Sequence, residues 1–300
     1  MVLNFRDEFP LQNELALDFK AYFTLFSTPQ ASLLCYNTGG GKLMDIGPRR
    51  EPDESPVASF YESAQQGADR DRDGSGEPGG LETNDGPRLE YFLTQYREHR
   101  ERMGRPLRVL DLGCGVDARF ATHVVEPDEY WGLDITEPRV HLQHFVQVDL
   151  NSPDIFNAVG GQLFDLIFCG EVIEHVFSPD ALLEGIKSVM HSRSLVVLST
   201  PNLAYWVNRF LLPLGISPLF VENSARHKLG RRTRLLGQGN RTEGHIRVFT
   251  HRAMLELLAE QGFCVRQIKS MPLWNFGLDR FVCRVSPHLA PNNIYVLTLA

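Results

Sequence analysis

The sequence contains no hydrophobic run of membrane-spanning length, and its opening, Met-Val-Leu-Asn-Phe-Arg-Asp-Glu-Phe-Pro, is too charged for a secretory leader. Neither a membrane span nor export is expected. Cysteine is scarce: Cys35, Cys114, Cys169, Cys264 and Cys283 show neither metal-ligand spacing nor a disulfide framework. They read as reduced core or near-site thiols of a cytoplasmic protein. Positive charge is also short, with 30 Lys and Arg against 37 Asp and Glu and a net charge of −7. A protein whose main partner is a long polyanion is usually basic, so bulk nucleic-acid binding is disfavoured, while a local basic patch stays open.

What is present suffices for a substantial core. The 300 residues, 43% of them apolar, suit one catalytic domain with additions rather than two full domains. Residues 1–48 read as a helical extension, with Leu15, Phe19, Tyr22, Phe23 and Phe26 at helical spacing within 11–27. That apolar face packs on the catalytic domain, lids the substrate pocket or makes a subunit interface; the last option leaves a homodimer open. The stretch 37–42, Asn-Thr-Gly-Gly-Gly-Lys, resembles a phosphate loop only superficially, lacking its first glycine and a hydroxyl after the lysine. Residues 49–84 shift to Glu, Asp, Gly, Ser and Pro, too apolar-poor to offset ordering entropy, and read as a mobile linker interrupted only at 57–61.

The domain from 85 to 300 begins with a helix, capped by Asn84 or Asp85, with Pro87 in its first turn and Leu89, Phe92, Leu93 and Tyr96 on its buried face. Leu107 to Leu112 follows as a buried parallel strand that stops at Gly113-Cys114-Gly115. Those glycines let the backbone turn tightly and approach a nucleotide-like ligand without a Cβ in the way. Tyr130 to Ile135 is a second strand bearing Asp134, about 20 residues past the first glycine, where an acid can accept hydrogen bonds from both ribose hydroxyls. Phe145 to Asp149, Phe164 to Gly170 and Ser194 to Ser199 are the third to fifth strands; Cys264 to Ser270 and Ile294 to Leu299 are the sixth and seventh. Helices are expected at Ala118 to Val124, Pro179 to His191 and Arg252 to Gln261, with one shortened or absent between Thr136 and Gln143. The alternation predicts an α/β fold: a doubly wound, mostly parallel seven-stranded sheet, with the sixth and seventh strands as a pair at one edge.

Two stretches stand apart from this frame. The insertion 203–247 combines Tyr205, Trp206, Phe210, Leu211 and Leu212 with a positive run from Arg226 to Arg234 and with Arg241. It reads either as a solvated loop or as a lid for an anionic acceptor, its aromatics forming an apolar pocket wall with Trp274 and Phe276. The exit of the fourth strand, Glu171-Val-Ile-Glu174-His175, would set two carboxylates and an imidazole on one face if it begins a helical turn. That set suits Mg2+, Mn2+, Fe2+ or Zn2+, with His245 as a candidate fourth ligand. Equally, His175 or His245 is a candidate general base without any metal, with Glu174 beside them, or the cluster is structural.

The ordered series Val109-Leu-Asp-Leu-Gly-Cys-Gly115, Gly132-Leu-Asp134, Val148-Asp149-Leu150, Phe164 to His175 and Leu198-Ser-Thr-Pro-Asn202 resembles class I S-adenosylmethionine-dependent methyltransferases over roughly residues 85–300. The resemblance implies S-adenosyl-L-methionine as cofactor. It puts Asp111, Gly113, Cys114 and Gly115 at the methionine end, Asp134 with Ile135 at the ribose, Asp149 with Leu150 beside the adenine, and Gly170 and Glu171 at the strand exit. One departure is Asp117, where the family usually has a third glycine. The Glu-x-x-Glu-His segment with a distant histidine is similar to two groups, the ubiquinone-pathway O-methyltransferases and the small-RNA 3′-terminal 2′-O-methyltransferases. In both, the resemblance implies that Glu171, Glu174, His175 and His245 hold a divalent metal such as Mg2+. The expected reaction is O-methylation of a small-molecule or carrier-linked, anionic or neutral acceptor. RNA methylation and C- or N-methylation stay as alternatives; a nicotinamide-dependent dehydrogenase would leave Asp149 and the Glu-Val-Ile-Glu-His segment unexplained.

Overall fold

The computed structural model describes residues 86–152, 155–230, 242–274 and 277–300. The expected helix at 11–27, the 37–42 turn, the 49–84 linker, the caps at Asn84 and Asp85, residues 231–234 of the positive run, Arg241 and Phe276 lie outside these residues.

Seven strands form one sheet: β1 (Arg108–Leu112), β2 (Glu129–Asp134), β3 (His144–Gln147), β4 (Phe164–Gly170), β5 (Met190–Pro201), β6 (Phe263–Met271) and β7 (Asn292–Leu299). Their order is β3-β2-β1-β4-β5-β7-β6, and only β7 runs against its neighbours. The helices are α1 (Gly86–Met103), α2 (Pro179–Ser188), α3 (Trp206–Leu211), α4 (His251–Glu260) and α5 (Gly277–Val285).

Alternation along the central strands divides the core. Leu110, Ile167, Cys169, Val196 and Leu198 face one side, against Leu182, Leu183 and Ile186 of α2 and Met254 and Leu258 of α4. Val109, Leu166, Phe168, Leu195 and Val197 face the other, against Phe92, Leu93 and Tyr96 of α1. Period-two side chains buried on both faces are what a central parallel strand requires. Helix starts follow local chemistry: Ser178 Oγ accepts from Ala181 N ahead of Pro179, and Thr250 Oγ1 accepts from Ala253 N.

Several expectations are corrected. The helix expected at Ala118 to Val124 is only a 3-10 turn, Ala121–His123. Ala118 has a positive φ of 37°, which a right-handed helix cannot contain, and the β-branched Thr122, Val124 and Val125 favour extended backbone. The helix expected to reach His191 stops at Ser188, because Met190 pairs with Phe164 and Ser194 Oγ accepts from His191 N while donating to the Phe164 carbonyl. β5 therefore begins earlier than Ser194. β3 ends at Gln147, leaving Asp149 in a turn where its Oδ1 accepts from Asn151 N at 2.8 Å. No helix forms between Thr136 and Gln143, as expected.

Candidate active site

β3, β2, β1, β4 and β5 present their carboxyl ends along one edge, where Asp111 to Gly115, Asp134, Asp149, Gly170 and Glu171 lie. Gly113 turns back so that its N–H donates to Leu133 O at 2.8 Å. Its φ is +70°, and a Cβ would come within 2.6 Å of Val172 Cγ2, so glycine is required. Gly115 N donates to Asp134 Oδ2 at 2.8 Å and Thr136 N to Asp134 Oδ1 at 2.8 Å, tying the glycine turn to the end of β2. Behind it, buried Asp111 accepts from the Tyr130 hydroxyl at 2.6 Å. Burial raises the Asp111 carboxyl from the usual 3.8 to about 7; the Tyr130 hydrogen bond opposes that shift and Asp134 adds to it.

A cavity of about 270 Å3 opens over this turn, lined by Arg88, Phe92, Asp111, Cys114, Gly115 and Gly170 among others. Asp117 also lines it, in the family's usual glycine position, and Arg119 Nη2 and Arg139 Nη1 lie 3.9 and 3.8 Å from its carboxylate. Its charge is thus offset locally, and the positive φ falls on Ala118 instead. Ile135 lies beside the turn, its carbonyl accepting from Gln147 Nε2 at 2.9 Å. The Leu150 side chain would meet a Cβ built on Gly113 at 3.9 Å.

The Glu171 to His175 segment is an irregular turn, not the start of a helix. Glu171 has a φ of 56°, and its Oε1 accepts from Ser199 Oγ at 2.7 Å and Asn292 Nδ2 at 2.8 Å, with Arg88 Nη1 at 3.5 Å. That carboxylate is drawn toward β5 and β7, so Glu171 does not share a face with Glu174 and His175. Glu174 is fully buried; its Oε2 accepts from Thr200 Oγ1 at 2.9 Å, while its Oε1 has no hydrogen-bond partner. Burial first, and the nearby Glu171 second, push its carboxyl well above the ordinary range.

His245 arrives from the insertion. Ile246 N and Arg247 N both donate to Glu174 O, at 2.9 and 3.1 Å, and Phe249 bridges to Asn202 at the end of β5. These bonds bring the His175 and His245 rings to 5.0 Å. His175 Nδ1 lies 3.0 Å from Gly244 O and His245 Nδ1 2.9 Å from Phe220 O. A carbonyl only accepts, so each Nδ1 donates, and Nε2 of each ring faces a carboxylate, His245 Nε2 at 3.5 Å from Glu243 Oε2 and His175 Nε2 at 4.0 Å from Glu174 Oε1. Burial, then His245, lowers the pKa of His175, favouring its neutral form. The donor atoms of Glu174, His175 and His245 lie within 4.8 Å of one another, as do those of Glu222, Glu243 and His245. The orphaned Glu174 Oε1 and two imidazoles fit a divalent cation; Glu171 stands outside both groups.

Glu222 was invisible in the sequence pattern. Its carboxylate accepts from the backbone N–H groups of Glu243, Gly244 and His245, at 2.6, 2.8 and 3.1 Å, and so fixes the His245 loop. Within the insertion, Lys228 is buried and pairs with Glu243, so it is not a free cation of the basic patch. The expected aromatic pocket wall is also corrected in part. Trp206 packs on Tyr205 in a small separate core and Phe210 is exposed, while Trp274, partly buried against that core, does line a cavity, as expected of it. Buried Asp279 holds that core together, accepting from Tyr205 Oη, Trp206 Nε1, Leu273 N and Trp274 N.

Residues 88–268 match the model of a family described as methyltransferase domain. Among curated proteins, the chain is 30% identical over 129 residues to a ubiquinone biosynthesis O-methyltransferase of Ruegeria sp. (strain TM1040), covering 38% of this chain and 52% of that protein. It is 31% identical over 169 residues to the protein of the same name from Roseobacter denitrificans, covering 52% and 66%. The chain thus spans about half to two thirds of the length of these relatives. A solved structure, the Burkholderia thailandensis 1,6-didemethyltoxoflavin-N1-methyltransferase, aligns at a TM-score of 0.48 and 15% identity, covering 85% of this chain and 95% of that one. With the matched segment running from the start of α1 into β6, and with the acid-ended strands and glycine turn inside it, the chain belongs to the methyltransferase-domain family, as a class I S-adenosylmethionine-dependent methyltransferase.

Proposed function

We propose that the chain methylates a hydroxyl oxygen of a small or carrier-linked metabolite, and that Glu174, His175 and His245 receive that hydroxyl. The observation carrying this reading is the convergence of the buried Glu174 Oε1, which has no hydrogen-bond partner, with the His175 and His245 imidazoles, their donor atoms within 4.8 Å of one another. In the proposed arrangement Asp111, Gly113, Cys114 and Gly115 hold the methionine end, Asp134 and Ile135 the ribose, and Asp149 and Leu150 the adenine. Gly170 and Glu171 close the strand exit.

Methyl transfer needs little covalent help; in-line alignment supplies much of its rate. What the protein adds at the acceptor is a way to remove a proton. A neutral imidazole does so directly near neutral pH. A divalent cation held by Glu174, His175 and His245 would lower the hydroxyl's pKa there. The ubiquinone-pathway names of the similar proteins agree with an oxygen acceptor.

The test is methyl transfer from labelled S-adenosylmethionine to a panel of catechols, phenols and amines. Oxygen acceptors should turn over, and His245→Ala and His175→Ala should lower kcat by about 100-fold or more, the usual worth of a positioned base, with S-adenosylhomocysteine affinity intact. Turnover confined to amines would overturn the reading. Calorimetry with Mg2+, Mn2+ and Zn2+ on wild type and Glu174→Gln distinguishes the two routes of deprotonation: saturable binding lost in the variant assigns the cation, and none in either assigns the imidazole.

A further inference from the structure

A second cavity, of about 600 Å3, lies between the end of β6 and helix α5, lined by Lys269, Ser270, Met271, Trp274, Arg280 and Arg284 among others. Every charged side chain of the described lining is cationic. Arg280 and Arg284 stand four residues apart, on one helix face. Several other arginines meet carboxylates: Arg88 meets Glu171, Arg100 Asp128, Arg105 Asp165 and Arg108 Glu129. Lys269, Arg280 and Arg284 make no ion pair among the described residues. In a chain of net charge −7, three cations lining one cavity, with no acidic side chain in its described lining, mark a place where an anion is attracted from solution. Met271, Leu273 and the Trp274 indole give the same cavity an apolar wall.

Its position links it to the reaction centre. β6 runs parallel to β5, so Met271 ends at the same carboxyl edge as the glycine turn. Met271 pairs with Asn292, whose Nδ2 donates to Glu171 Oε1. Pro87 lines this cavity and its neighbour Arg88 lines the one over the glycine turn. The two spaces therefore adjoin at the start of α1.

We infer that this cavity is an anion subsite for the acceptor, taking a phosphate, sulfate or carboxylate carried on an apolar or aromatic body. The inference rests on the methyltransferase reading and deepens it: the cations hold the charged end of a molecule whose hydroxyl reaches the Glu174, His175 and His245 cluster. Guanidinium groups bind oxyanions by paired, charge-assisted hydrogen bonds, and the indole and thioether receive the apolar part.

The test is calorimetric titration of phenyl phosphate and of benzyl alcohol into the full chain saturated with S-adenosylhomocysteine, for wild type and an Arg280→Gln, Arg284→Gln double variant. Both arginines are exposed, and unchanged S-adenosylhomocysteine affinity verifies the fold of the variant. The expected result is one saturable phenyl phosphate site, at least about tenfold tighter than benzyl alcohol, with that margin lost in the variant and reduced by added salt. Equal phenyl phosphate affinity in wild type and variant, or no preference over benzyl alcohol, overturns the inference. The titration reads binding alone. A failed phosphate site with hydroxyl turnover intact leaves the O-methylation reading standing, and a working phosphate site without hydroxyl turnover leaves only the subsite.

Discussion

Asp111 is the residue whose chemistry is most exposed to pH. Its carboxyl is raised to about 7 mainly by burial, so in the free protein the neutral form is favoured. A raised acid contributes stability that is fully present below its unfolded value of 3.8 and lost as pH rises through about 7. A cationic ligand reverses the preference, because it favours the ionised carboxylate. If the cofactor's ammonium group binds beside Asp111, S-adenosylhomocysteine affinity should rise with pH, by about tenfold between pH 6 and pH 8 at the most favourable coupling. Asp111→Asn should flatten that profile; a slope equally steep in the variant would assign the titration to another group. Asp111 and Asp134 were legible in the sequence because strand, acid and glycine stand within a few positions of one another. Glu222 and Asp279 were not, since each acts on partners brought near by folding, up to 23 and 74 residues away in the chain.

Among the elements, the loop carrying His245 depends most on one remote side chain. Three consecutive backbone N–H groups converge on Glu222, and a carboxylate so placed is a strong acceptor. Removing it leaves those donors unpaired, at a cost of about 1–3 kcal/mol. Glu222→Ala should therefore lower the melting temperature modestly and reduce kcat by displacing His245, with S-adenosylhomocysteine affinity unchanged; a variant that loses cofactor affinity in parallel would show general unfolding instead. Periodicity announced α1, α2 and α4 because each has a buried stripe. It failed at Ala118 to Val124, where a left-handed residue rather than side-chain pattern decides the backbone, and at Glu171, whose positive φ turns its carboxylate from the face that helical spacing implies. Ser178→Ala offers a simpler check on α2: loss of its N-cap bond to Ala181 should cost about 1 kcal/mol by chemical denaturation, and no change would mean that packing alone sets the start of that helix.

Across the whole molecule, the sheet was the most legible feature, because seven apolar runs, the first four of them ending at a glycine or an acid, leave few other arrangements. The order of its last two strands was not contained in those runs; it is set by pairing between segments that are distant in the chain. β7 lies between β5 and β6 and buries Ile294, Tyr295, Val296 and Leu297. Those four side chains contribute on the order of 6–12 kcal/mol, comparable with the net stability of a whole domain. β6 precedes in the chain the strand that joins it to β5, so the sheet has a gap of one strand's width until β7 docks. Two open edges of main-chain donors and acceptors, the kind that recruit foreign strands, are exposed throughout that interval. Ribosome-bound chains that end before Asn292 and are held clear of the exit tunnel by a linker should accordingly be cut readily by protease within β6, whereas chains that run through Leu299 on the same linker should resist. Early resistance would mean that β6 docks without its partner.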